Sequence, residues 1–463
     1  MTSGAAQDEV RRLLGRIEEL DPLISSVNAV NPHALTEAQA LDRETAAGHR
    51  RSALHGKAVL VKDNIDTAGL ATTAGSLALA DAPPERDAPL VRRLRESGMV
   101  VLGKTNLSEW ANIRDPHSTS GWSAHGGLTR NPYALNRTAW GSSSGSGAAL
   151  AAGLTAYAVG TETNGSITAP AAACGVVGLK PTVGLVPTQG VVPISWTQDS
   201  PGPMARTVAD TAALLDAMAG TSTADALATP VRGRRVGVPR DLWGHSPAAD
   251  AAAERALEIL SRAGAVIVDG LALPALKDLD DEVGLTLMLV ELKIGLATYL
   301  ATRDAPVKTL ADVIAFNRAH AGDELRWFGQ GLLEMAQDTE GGASTAYLES
   351  VDACAVAGLA ELDRTLGEHD LAALVAPAMA PPPPIDLVNG DSGVGGSASD
   401  SSALAGSPIL TVPMELTHGL PVAVSLWGAR GSDPCVLQLG AALESGRDAQ
   451  SGPLPEPAFA EWV

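Results

Sequence analysis

Two glycine- and serine-rich turns around one apolar connector constrain this chain more than any other stretch. They lie in Trp140–Pro170, WGSSSGSGAALAAGLTAYAVGTETNGSITAP. The first turn carries Ser142, Ser143, Ser144 and Ser146 among Gly141, Gly145 and Gly147, and the second carries Ser166 after Asn164-Gly165. Glycine permits positive φ and leaves backbone N–H groups open; serine adds a hydroxyl. The segment between the turns, AALAAGLTAYAVG, is too apolar for a flexible linker and reads as core. A buried connector joining two serine-bearing turns points to a nucleophile site. The first turn lacks the lysine of a GxxxxGK[ST] phosphate cradle. Asn-Gly in the second favours a tight turn. Such a turn ahead of a nucleophile aims successive N–H groups at one spot, as an oxyanion hole requires.

Composition matters here mainly for what it excludes. The 463 residues are 45% hydrophobic and 19% charged, the balance of a globular protein. Aromatics make up only 3%, so the core must rest on Ala, Val and Leu. A formal net charge of -20 repels phosphate backbones, so no nucleic-acid partner is expected. Cys174, Cys354 and Cys435 are odd in number and far apart, without CxxC or Cys/His spacing. That pattern indicates neither a disulfide framework nor a zinc site. The start lacks a basic n-region followed by an apolar h-region, and no run of 18 apolar residues occurs. A cytoplasmic protein without a membrane span is the expectation.

Along the chain, Val10, Leu13, Leu14, Ile17 and Leu20 recur at helical spacing and predict an opening helix, with a second over 34–47. KAVLVKDNID (57–66) is apolar and then abruptly polar, a strand ending in a loop at Lys62–Asp66. Residues 88–97 read as helix, 99–103 as strand, and Asn106–Asn112 as the start of another helix. The polar stretch 114–139 is long for a simple connection, which suggests a functional loop. Extended segments and turns follow over 176–195, then a helix over 207–220 capped by Thr207. Strands at 234–239 and 265–268 bracket a helix at 248–263, and 275–368 reads almost entirely as helix, a lobe or lid. A strand at 371–377, a loop over 378–400, strands at 407–414 and 420–428 and a helix at 435–444 complete the pattern. This alternation predicts one α/β fold with a mixed sheet and a helical insertion, in preference to two domains split near 221–233.

A serine hydroxyl needs a base before it attacks. Most of the nine histidines fall in helices or polar connections; only His117 and His125 lie in a loop that could reach a site, and Ser166 has no GxSxG elbow. A Ser–His–Asp arrangement is therefore the weaker reading. Lysine can serve if burial keeps it neutral. Lys62 ends an apolar strand, and Lys104 (LGKTN) and Lys180 (GLKPT) sit in comparable settings. Spacing alone does not choose between Lys62 and Lys104.

GSSSGSG followed by GTETNGSITAPAAACGVVGLKPT resembles the amidase signature family. VKDNID around Lys62, LGKTNLSEWAN (102–112), TRNPY (129–133), QDSPGPMARTVAD (198–210) and GLPVAVSLWG (419–428) extend the resemblance over most of the chain, least in 275–368. Within the family the sequence is most similar to bacterial peptide amidases, which remove the C-terminal amide of peptides. The resemblance implies a single domain over residues 1–463: a central mixed, twisted β-sheet covered by helices on both faces. Its core would span about 55–220 and 370–446, with a helical insertion at about 275–368.

By the same resemblance, Ser166 is the nucleophile, Ser142 a bridging serine on a cis peptide bond, and Lys62 the base. The oxyanion would sit against backbone N–H groups of Thr163, Asn164, Gly165 and Ser166. The implied reaction is acyl transfer through an acyl-enzyme, without metal or cofactor, on a small-molecule or peptide amide. Two positions depart from the commoner family pattern: Thr168 stands where many members have an arginine that peptide amidases also tend to lack, and Asn164 where Gly or Asp is frequent. Substrate contacts are expected from Ser118, Trp196 and Gln198, with Trp110 and Trp122 as further pocket candidates. A stand-alone monomer or homodimer is expected. The alternatives are the amidase subunit of a tRNA-dependent amidotransferase, an aliphatic or aryl amide amidase, and an inert scaffold.

Overall fold

A computed structural model describes residues 4–393 and 398–463; the part of the expected 378–400 loop at 394–397 lies outside them. Thirteen strands are described: β1 (Val27–Val30), β2 (Ala58–Lys62), β3 (Val100–Thr105), β4 (Trp122–Ser123), β5 (Gly127–Leu128), β6 (Tyr157–Glu162), β7 (Val177–Lys180), β8 (Ser200–Ala205), β9 (Arg235–Pro239), β10 (Val266–Leu271), β11 (Ala373–Pro377), β12 (Ile409–Thr417) and β13 (Leu420–Trp427). Eleven form one sheet in the order β1-β3-β2-β6-β8-β7-β12-β13-β11-β9-β10, and β4 with β5 makes a small hairpin in the polar stretch 114–139. The sheet is mixed: β2 runs parallel to both β3 and β6, whereas β8 is antiparallel to β6 and β7.

Alternation along β2 explains why both faces are covered. Val59 and Val61 join one apolar cluster with Leu90, Leu94, Leu214 and Leu437, from helices Pro89–Glu96, Val208–Ala219 and Asp433–Ser451. Ala58 and Leu60 join another with Val10, Ile17, Ala148 and Leu150, from helices Ala5–Ile24 and Ser144–Ala151. Successive side chains point to opposite faces of a strand, so a continuous apolar run fits a sheet buried on both sides. Lys62 continues the second set and faces the start of helix Ser144–Ala151.

Two local readings differ. Asn106–Asn112 does not begin an α-helix: only a short 3-10 turn forms at Glu109–Asn112, with Trp110, Ala111 and Asn112 all at positive φ. The chain there curls left-handed, a conformation costly for non-glycine residues and usually held by its surroundings. The SPGPMA segment, which gives no strand signal, is β8, near the centre of the sheet. Pro201 and Pro203 cannot donate to a ladder. They are tolerated because β7 pairs only with Met204 and Ala205 at the far end of the strand.

The helical block packs on loops of the core. Leu289, Leu292, Leu296 and Val313 share a cluster with Ala74, Trp110, Ile113 and Ile194. Helix Asp281–Leu300 is long and apolar enough to cross a membrane by length and composition. Its buried Glu291, however, accepts hydrogen bonds from Ser195 Oγ, Thr197 Oγ1 and Tyr347 Oη, which commits that face to the protein. Arg303 reaches Asp66, four residues beyond Lys62, at 2.6 Å, and Tyr299 Oη donates to the same carboxylate at 2.8 Å. Arg303→Met strands the Asp66 carboxylate in a buried setting. It is expected to cost about 3–5 kcal/mol, read as a lowered urea midpoint at unchanged m-value.

Candidate active site

Strand β2 delivers Lys62 fully buried into a nest of oxygens. Its Nζ lies 2.8 Å from Ser142 Oγ, 3.0 Å from Ser143 Oγ, 2.9 Å from Thr161 Oγ1 and 3.2 Å from the Thr161 carbonyl. The parallel register of β2 and β6, with Val61 opposite Val159, brings Thr161 to this position. Asn64 Nδ2 donates to Thr161 Oγ1 at 3.0 Å and orients it. Burial drives the Lys62 amine well below its ordinary value, against the opposing pull of the Glu162 and Asp199 carboxylates. Burial thus works toward the neutral amine, whereas the surrounding oxygens accept its N–H groups.

The first turn is shorter than the sequence suggests. Helix Ser144–Ala151 begins within it, so Ser144 and Ser146 are helical. Ser144 Oγ bonds the Trp140 carbonyl, and Ser146 Oγ the Val159 carbonyl and Thr105 Oγ1. The Gly141–Ser142 peptide is cis. A Cβ at Gly141 would collide with the Ser108 hydroxyl, so only glycine fits there. Ser143 Oγ donates to the Thr161 carbonyl at 3.1 Å and accepts from Thr161 N–H at 3.2 Å.

The second turn follows β6. Gly165 has φ of 82°, as an Asn-Gly turn requires. Glu162 Oε2 accepts from the N–H groups of Ile167 (2.7 Å) and Thr168 (2.8 Å) and from Thr168 Oγ1 (3.1 Å), which ties down the far side of the turn. Thr168 thus supplies the carboxylate with a hydroxyl. Thr163 Oγ1 donates to Asp199 at 2.6 Å, and Asp199 also accepts from Ile194 and Ser195 N–H. Burial raises the Asp199 carboxyl to about 6. Among the described residues, the N–H groups of Thr163, Asn164, Gly165 and Ser166 donate to no protein acceptor. Ser143 N–H donates to the Ser166 carbonyl at 3.1 Å, while no hydrogen bond joins the Ser142 and Ser166 hydroxyls.

Ser166 opens on a cavity of about 260 Å³ lined also by Asn112, Ile113, Gly141, Asn164, Ile194 and Met288. A second pocket of about 210 Å³ shares Asn164 and Met288 and adds Gln198 and Asp400. A third, about 570 Å³, continues past Asp400 and Asp281 to Trp140. Of the substrate contacts expected from sequence, Gln198 lines the second pocket. Ser118 lies behind the first, its Oγ donating to Asn112 Oδ1 at 3.1 Å. Trp196 is 47% exposed and lines none of these pockets. Trp110 is core, and Trp122 packs edge-on against Phe328. Neither His117 nor His125 lines the Ser166 cavity. Sequence reading singled out neither Thr161 nor Asn112. It expected pocket walls from the Trp196–Asp199 segment, whose Asp199 braces the turn, and from the helical block 275–368, which supplies Met288. No cluster of His, Cys, Asp or Glu able to hold a metal occurs among the described residues.

A mixed sheet carrying a buried amine against one serine, with a second serine on a turn of unpaired N–H groups, is the equipment of an amide hydrolase. The chain belongs to the amidase family, whose model, described as Amidase, matches residues 8–437. It is similar to the native peptide amidase of Stenotrophomonas maltophilia, 44% identical with a TM-score of 0.90 over 98% of this chain and 95% of that one. A probable amidase of Arabidopsis thaliana is 36% identical over 94% of this chain and 85% of its own length. A glutamyl-tRNA(Gln) amidotransferase subunit from Exiguobacterium sibiricum is 32% identical over 94% of this chain and 92% of its own length. The protein is an amidase-family hydrolase acting on C–N bonds.

Proposed function

We propose that the chain is a single-domain amidase that cleaves a primary amide, the C-terminal amide of a peptide, through Ser166, Ser142 and Lys62. The observation that carries this reading is the 2.8 Å contact of the buried Lys62 amine with Ser142, beside a turn of unpaired N–H groups ending at Ser166. A neutral lysine has two N–H donors and one lone pair. Ser143 Oγ and the Thr161 oxygens accept the two N–H groups. The lone pair then faces Ser142, whose proton is uncommitted, whereas the Ser143 proton is spent on the Thr161 carbonyl. Proton movement accordingly runs from Ser166 to Ser142 to Lys62. The Ser166–Ser142 bond forms when substrate fixes the Ser166 hydroxyl, since such contacts tighten on binding.

Ser166 Oγ attacks the carbonyl carbon, and the oxyanion is held by the N–H groups of the 163–166 turn. Collapse breaks the C–N bond while the relay returns a proton to nitrogen, releasing ammonia. Water, deprotonated by the same relay, then attacks the acyl-enzyme and frees Ser166 with the carboxylic acid. A peptide substrate is supported by the similarity to the peptide amidase and by the chain of pockets leading away from Ser166. The second reading, part of a tRNA-dependent amidotransferase, rests on the 32% identity to the Exiguobacterium protein.

Assay of the lone chain on amidated dipeptides, reading ammonia, separates the two. Turnover without a partner is expected, at a kcat on the order of 1–10³ s⁻¹. Silence on every amidated peptide, with glutamine-derived ammonia only on adding partner subunits, would favour the second.

A further inference from the structure

The N–H groups of Thr163–Ser166 have no protein acceptor among the described residues, so the turn that aims them is held through its carbonyls, with Ser166 accepting from Ser143 N–H and Gly165 from Ala169 N–H, and through side chains. Thr163 anchors it to Asp199, just before β8, and Glu162 closes it on the N–H of Ile167. Asn164 anchors it elsewhere. Its Nδ2 donates to Asp400 Oδ1 at 2.7 Å, and its Oδ1 accepts from Ser399 Oγ at 2.6 Å. Both partners start helix Ser399–Ala405, more than two hundred residues further along the chain. A Cβ on Gly165 would touch Ser399 Oγ at 3.4 Å, so this helix start lies directly over the turn. Asn164 also forms part of the wall shared by the Ser166 cavity and the next pocket, which Asp400 lines.

From these contacts we infer that Asp400 is a positioning residue for the reaction: through the Asn164 carboxamide it sets the direction of the oxyanion-binding N–H groups beside Ser166. This rests on the nucleophile reading above. Asn164 is suited to the task because an amide can donate to Asp400 and accept from Ser399 at once. An aspartate at 164 would set a second carboxyl against Asp400, a pairing that burial and like charge both disfavour.

The test reads the rate at which a fluorophosphonate labels Ser166, followed by intact mass, together with kcat and KM on an amidated dipeptide. Complete removal of one oxyanion donor costs about 10²–10³ in rate, so misdirecting one should cost about 10–100-fold. Asp400→Ala and Asn164→Asp are each expected to slow labelling and kcat by that amount, with KM changed less than about 3-fold. Asp400→Asn keeps an acceptor for Asn164 and should stay within about 3-fold of native. The double variant Asn164→Asp/Asp400→Asn exchanges donor and acceptor across the same contact and should recover to within about 3-fold of native, which simple damage to the fold would not do. Native labelling rates in Asp400→Ala and Asn164→Asp, or a double variant no faster than Asn164→Asp, would overturn the inference. Failure of the native protein to label at Ser166 would instead remove the nucleophile reading beneath it.

Discussion

Ser166→Ala is expected to reduce amide turnover by on the order of 10⁵-fold or more while leaving the protein as stable as before. The two halves of this expectation have separate physical origins. Turnover collapses because the neighbouring hydroxyls are already engaged: Ser142 with Lys62, Ser143 with Thr161 and Thr163 with Asp199. Stability is unchanged because Ser166 Oγ makes no hydrogen bond to protein among the described residues, so its loss leaves no partner stranded. Substitutions free of such penalties usually fall within about 0.5 kcal/mol. The residual rate measures what the N–H groups achieve by themselves, about 10³–10⁴ over water in comparable sites. Turnover within 10-fold of native in Ser166→Ala, well above that floor, would sink the assignment.

The pH profile should show the second large effect. In the proposed relay Lys62 works as the neutral amine, and burial depresses its folded-state pKa well below the ordinary 10.5. The rate should therefore rise with pH and level off well short of 10.5, the midpoint of the acid limb marking Lys62. Lys62→Ala is expected to lower kcat by about 10²–10⁴-fold and to abolish that limb. An acid limb of the same midpoint in Lys62→Ala would exclude Lys62 as its source.

Stability carries the same signature. Between the depressed folded-state pKa and the unfolded value near 10.4, the unfolded chain holds a proton that the folded chain lacks, so stability rises with pH across that window. Lys104 and Lys180 are also depressed by burial. The slope attributable to Lys62 is thus the difference between native protein and Lys62→Ala, measured by urea titration over the alkaline range.

Helices and strands with strong periodicity were legible because their signals are local. The helix at Ala5–Ile24, the strand ending at Lys62 and the helix at Val208–Ala219 with its Thr207 cap all follow from patterns a few residues wide. Elements that depend on distant partners were not. β8 is a strand because β6 offers it a full ladder and β7 a partial one, although its own residues argue against it. The left-handed curl at Trp110–Asn112 follows a segment pinned by Asn106, which bonds the 121–129 loop.

The choice among lysines divides the two sources of information most clearly. By itself the sequence determined that a serine-rich pair of turns would flank a buried connector and that lysines ending or following apolar strands were available to serve it. Spacing could not choose among those lysines, although the family resemblance pointed to Lys62, and burial does not choose either, for Lys62, Lys104 and Lys180 are all fully buried. Their partners differ. Lys104 lies 3.4 Å from Asp63 and donates to the Ile65 carbonyl, and Lys180 donates to the Ser407 carbonyl. Lys62 meets the hydroxyl of Ser142. That contact spans eighty residues and exists because β2 lies beside β6 in parallel register, with helix Ser144–Ala151 packed on the face that Lys62 shares. Local pattern sets which face a side chain takes; only the order of strands in the sheet decides what stands opposite it.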